Sequence, residues 1–409
     1  MARYSTQAFD AVGNGGLMYV TMYVCLMGMA DGAQIIFSRR IGENSYSLIG
    51  QVLGSSLFIG LCLVLILFLI LQSVIPQILY HYSNSLQIAK LQNDFLHFRS
   101  FSLFFACIIV CIQAFFLALG KTKIVLYASL ITASVNILMD YILIFGHFGF
   151  PELGHIGAAI ASNLADFSAM CFLIISFISF KDKKQFEFFS SIKINKSAIL
   201  SLTKVGFPLL FQSFIALATW TIFFTLIEMK GEFSLTVSQN IRSIYFLAFV
   251  PIWGFAGTTK TYISQYIGAN KWTEIPVIQR KIQLLSFLFT LVFFHGAILY
   301  PETLIRLINP NELYIEKSAS ILQLVAGSIL IYGFISVYFQ TIHSSGNTIH
   351  SMLIEISTVI IYGFFSVLFI LFWDLDIYWV WTVEYIYFIS IGILSIMYLR
   401  LADWKSKSI

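Results

Sequence analysis

The side chains best suited to chemistry in this sequence lie inside long apolar runs. Asn136 and Asp140, in Asn136-Ile-Leu-Met-Asp140-Tyr141, are four apart and share one face of a helix. Ser162, Asn163 and Asp166 form a second polar stripe in the next run. Only the turn from Gly146 to Gly154 separates the two runs, so they are expected to be antiparallel neighbours with their stripes in one pocket. Carboxylate, amide and hydroxyl oxygens gathered there suit Na+ or a shuttled proton. A charged group at mid-bilayer costs roughly 2.5–3.5 kcal/mol on insertion scales, so it must face a cavity or a partner. The plainer alternative is a hydrogen-bonded pair that joins the helices. For Asn136 and Asp140 ion binding is preferred, whereas for Asp166 the two readings are balanced.

Asp31 lies within two turns of a span end and either lines a cavity or reaches the interface. Gln212, Gln239 and Trp253 are candidate substrate contacts in the second half, against the ordinary alternative of packing. Arg242 and Lys260 are each near a helix end, where long basic side chains snorkel to the surface. Glu228 and Glu355 are read as interfacial. Gly120-Lys121-Thr122 resembles the end of a phosphate loop, but Phe115 stands where that loop needs glycine and no strand precedes it. Gly13-Asn14-Gly15-Gly16 lacks the strand–turn–helix setting of a dinucleotide fingerprint. The seven histidines are scattered, and the five cysteines lie in apolar runs without a metal spacing. Nothing in this set points to an enzyme or to a cofactor.

Of the 409 residues, 58% are hydrophobic and 11% charged, against about 45–50% and about 25% in a soluble domain. That much apolar surface belongs in a bilayer, which excludes a nucleic-acid-binding or disordered chain. Spans need about 20 mostly apolar residues. Eleven satisfy this, at roughly 10–37, 48–75, 94–119, 123–146, 155–180, 200–228, 236–266, 278–300, 315–342, 348–373 and 376–402. The fold class is therefore an all-α integral membrane protein. No cleavable signal peptide is evident.

Lys and Arg divide 16 to 6 between alternate connections, with Arg3, Lys90, Arg99, Lys230, Arg306 and Lys317 on the poorer side. The richer side is cytoplasmic by the positive-inside rule, which puts the C-terminus inside. An internal repeat supports two lobes. Ile41-Gly42-Glu43-Asn44 recurs as Ile267-Gly268-Ala269-Asn270, and the same offset of 226 maps Gly120-Lys121-Thr122 onto Gly346-Asn347-Thr348. The expected lobes are 1–180, with five helices, and 200–409, with six, joined by a basic connection at 181–199. Parallel repeats of this kind are a secondary-transporter architecture. The offset leaves the first lobe without a partner for 200–228, so an opening helix is expected to be missing.

Several segments together resemble the multidrug and toxic compound extrusion (MATE) transporters: Ala30 to Glu43, Leu119 to Lys123, Asn136 to Gly146, Phe150 to Gly154, Gly157 to Ser162, Gly206-Phe207-Pro208 and Ser264 to Ala269. The resemblance implies two lobes around a cavity that opens to alternate sides, exporting organic, often cationic compounds in exchange for Na+ or H+. It also implies that Asn136 and Asp140 hold the coupling ion (a possible Na+ site), with Ser162 in place of a family threonine. Asp31, Asn163, Asp166, Gln212, Gln239 and Trp253 are the candidates for lining the substrate cavity. The family's first-helix Asp has no counterpart here, and Ala216 stands where some members carry a Glu. Expected partners are small-molecule drugs or metabolites and membrane lipids, with no nucleic acid; the chain is read as an inner-membrane monomer. The alternatives are a non-transporting, decayed membrane protein or a lipid-linked oligosaccharide flippase of the same architecture.

Overall fold

The computed structural model describes residues 5–82, 86–180 and 192–405. Among these there is no strand, because a bilayer leaves unpaired backbone groups without water and the helix satisfies them within one segment. In chain order the helices are α1 (Thr6–Gly42), α2 (Ser47–Leu69), α3 (Ile75–Tyr82), α4 (Leu86–Arg99), α5 (Ser102–Ala118), α6 (Thr122–Phe145), α7 (Gly154–Ile178), α8 (Lys196–Glu228), α9 (Glu232–Gly268), α10 (Ile275–Phe294), α11 (Gly296–Leu299), α12 (Pro301–Ile308), α13 (Glu312–Ser344), α14 (Thr348–Val367), α15 (Ile377–Val380) and α16 (Val383–Leu401). Ten stretches are long and apolar enough to span a membrane, and α4 with α5, bent by 48° at their junction, makes an eleventh. Most of the connection expected at 181–199 lies outside the described residues.

The chain forms two compact units, Met1–Leu210 and Phe211–Ile409. The division falls inside α8 because the first half of that helix lies tightly on α1. A Cβ at Gly28 would come within 2.5 Å of the Leu210 Cα, and one at Gly32 within 2.6 Å of the Gly206 Cα. Close backbone approach through small residues is how membrane helices gain contact where lipid supplies no hydrophobic drive. In the second unit Phe223, Tyr245, Tyr362, Trp381 and Phe388 form an aromatic core around α13 and α16.

The repeat has a conformational signature. Asn44 and Asn270, at matching positions, are both left-handed, with φ of 56° and 57°. Gly120 and Gly346, also 226 apart, have φ of 70° and 84°. Glycine and asparagine tolerate this region best, and it turns the chain out of a helix end. The repeat fails at α4–α5, whose counterpart α13 is continuous.

Candidate functional site

The two stripes expected to face each other lie on α6 and α7. Gly146, left-handed at the end of α6, and a single 3-10 turn at His147–Gly149 fold α7 back along α6. Gly157 lets them touch: a Cβ there would sit 2.5 Å from the Leu143 carbonyl oxygen. Asn136 then donates through Nδ2 to Ser162 Oγ at 3.2 Å. Asp140, one turn along α6, is half-buried, and its Oδ1 is buried without a hydrogen-bond partner. An acceptor left bare in this way beside an amide and a hydroxyl is suited to a small cation or a proton. Among the described residues no three His, Cys, Asp or Glu side chains gather as a metal cluster.

Asn163 and Asp166 turn away from that pair. Arg99 donates through Nη1 to Asp166 Oδ2 at 2.7 Å, to Asn163 Oδ1 at 3.1 Å and to Ser102 Oγ at 2.6 Å, and its guanidinium lies 4.0 Å above the Tyr19 ring. Arg99, grouped by sequence with the outer connections, therefore sits within the bent span as the counter-ion of Asp166. The bend and the ion pair are one construction. Where α4 ends, the His97, Phe98 and Arg99 carbonyls accept from the side chains of Gln72, Asn163 and Ser102, at 3.0, 2.7 and 2.9 Å. Side chains replace the helical donors that the break removes.

The remaining candidates are spread through the chain. Asp31 is half-buried on α1. Gln212 accepts from the Ser351 hydroxyl at 3.4 Å. Gln239 is half-buried, and Trp253 is 58% exposed with its ring 5.8 Å from Phe249. Arg242 lies over the Phe224 ring at 4.9 Å. Two expectations are corrected. Lys260 does not snorkel but is buried, because α9 packs along α13 at that level. Glu355 is not interfacial: it is 2% exposed and accepts from Tyr387 at 2.5 Å, since its face of α14 packs on α16.

Sequence reading missed Glu384 altogether. It is also 2% exposed, accepting from Tyr245 and, at 3.0 Å, from Tyr362. The signal was present as Glu355 and Tyr362 seven apart on one helix, and Glu384 and Tyr387 three apart on another.

Near helix ends of the second unit, Lys317 pairs with Asp376 at 2.5 Å, and Lys230 pairs with Asp374. Burial pushes the Asp376 carboxyl up. The Lys317 hydrogen bond, the Tyr378 backbone N–H and the charges of Lys317 and Lys230 outweigh this and hold it below the usual carboxylate range.

Comparison with known proteins agrees with this architecture. The probable multidrug resistance protein NorM of Thermotoga maritima is 24% identical over 88% of this chain and 77% of its own length. A protein of the same name from Bacillus cereus is 27% identical, but the match takes in 58% of this chain and about half (54%) of that relative. The solved structure of a MOP superfamily transporter from Pyrococcus furiosus superposes with a TM-score of 0.89 at 16% identity, covering 99% of this chain and 90% of that one, and so shares the fold. The sequence profile described as MatE matches residues 1–142 and 208–368. The chain thus belongs to the MatE family, the multidrug and toxic compound extrusion transporters.

Proposed function

We propose that this protein is a secondary antiporter that exports small organic molecules, cationic and amphiphilic ones above all, and draws the energy from a cation entering at Asn136, Asp140 and Ser162. The bare, buried Oδ1 of Asp140 carries this reading, one helical turn from an amide already bonded to the Ser162 hydroxyl. Asp166 is paired with Arg99, which leaves Asp140 as the α6–α7 carboxylate with an open acceptor. The coupling ion is Na+ or H+. Either drives export only by favouring one conformation while the drug favours the other. The protein is read as an inner-membrane monomer with its C-terminus in the cytoplasm, and the lysine-rich connections support that sidedness.

The test is purified protein in liposomes loaded with a fluorescent organic cation, under an imposed Na+ or pH gradient. Gradient-driven efflux is expected with one of the two ions. Asp140→Asn should abolish it, and Asn136→Ala or Ser162→Ala should weaken it. Efflux unchanged in Asp140→Asn would remove the coupling role, and no flux under either gradient would remove the transport reading.

A further inference from the structure

The second unit holds two buried carboxyl groups that the proposed coupling site does not use. They are arranged reciprocally: α14 contributes Glu355 and Tyr362, and α16 contributes Glu384 and Tyr387. Each glutamate accepts from the other helix's tyrosine, Glu355 Oε1 from Tyr387 at 2.5 Å and Glu384 Oε1 from Tyr362 at 3.0 Å. Tyr245 of α9 closes the set by donating to Glu384 Oε2. Both glutamates are 2% exposed.

Among the described residues neither forms an ion pair, and the titratable groups facing them are tyrosines alone. These are Tyr245 from α9, Tyr332 from α13, close enough to feel the Glu355 charge, Tyr362 from α14 and Tyr387 from α16. Phe223 of α8 packs on both Tyr362 and Trp381, 5.5 Å from each by ring centroids.

A buried carboxylate without a counter-ion is strongly disfavoured, and one or two hydroxyl donors do not replace a full charge partner. The group must acquire a cation. Three of the four carboxyl oxygens already face a tyrosine hydroxyl, which leaves little room for the shell of oxygens that a metal ion needs. A proton needs no shell. We infer that Glu355 and Glu384 are a proton-binding pair in the second unit, one proton to each carboxylate, and that their occupancy sets how tightly α14 and α16 are clasped. Loss of a proton converts neutral hydrogen bonds between the helices into charge-assisted O–H···O⁻ bonds, which are shorter and about twice as strong. Uptake relaxes them again. This inference stands apart from the Asp140 reading and needs no transport to be tested.

The experiment is infrared difference spectroscopy of the full chain in lipid nanodiscs, following the carbonyl stretch of protonated carboxyls from alkaline to acid buffer. Two carboxyl bands should be present at neutral pH, where solvated glutamates show none. Glu355→Gln should remove one and Glu384→Gln the other. Tyr387→Phe keeps the carboxyls and should shift only the Glu355 band to higher frequency; Tyr362→Phe should shift only the Glu384 band. Exchange of sodium for choline should leave both bands in place. The inference is overturned by the absence of both bands at neutral pH, by their disappearance on adding sodium, or by tyrosine variants that leave both bands unmoved. Asp140→Asn should keep both bands, so a failure of the coupling site reads differently.

Discussion

Arg99 and Asp166 show how a buried charge is managed in this protein. Both side chains are mostly buried, at 14% and 17% exposure, and each is useful only while the other is present. Asp166→Ala leaves a mostly buried guanidinium with neutral partners, Asn163 and Ser102, and no counter-ion, and a loss of about 3–5 kcal/mol is expected. Thermal unfolding of the purified protein measures it. Replacing both residues by apolar side chains of similar volume should recover most of that loss, because a buried ion pair is seldom more stable than the packing that replaces it. Asp376 behaves differently, being about half exposed at its side chain. Its carboxyl is held below its ordinary range, so any stability from the Lys317 contact is present above that range and is lost as pH falls through the depressed value. Asp376→Asn should therefore lower the melting temperature slightly at neutral pH and have no effect in strong acid.

At the scale of elements, the α6–α7 hairpin could be read from the sequence, and the α14–α16 pairing could not. Two residues four apart and a short turn are local facts, and they placed Asn136 beside Ser162. Glu384 is different, because its partners Tyr245 and Tyr362 lie 139 and 22 residues away, and only tertiary packing joins them. The bend between α4 and α5 escaped for a similar reason: its apolar composition is that of an unbroken span, and the groups that stabilise the break come from α7 and from the segment after α2. The left-handed corners offer a matched test. Asn44→Gly and Asn270→Gly should leave stability unchanged or raise it slightly, whereas valine at either position should cost about 1–2 kcal/mol. Melting curves of the four variants are expected to pair by substitution and not by position.

For the whole molecule, composition alone fixed the environment, and the count of eleven spans agrees with ten clear spans plus the bent pair. Sidedness is a separate matter. In a cysteine-free background, Asn311→Cys should react with a membrane-impermeant maleimide added to intact cells, and Lys271→Cys only after the membrane is opened. The reverse pattern would invert the export direction proposed above.

The broken span in one unit and its straight counterpart in the other also make the two halves non-equivalent. The two halves share the same backbone at their corners, Asn44 with Asn270 and Gly120 with Gly346. Between the corners the two halves differ: the first holds Arg99, the break and the Asp140 stripe, and the second the glutamate–tyrosine clasp. A gene rebuilt from two second halves would encode two clasps and no Asp140, so neither half can stand in for the other.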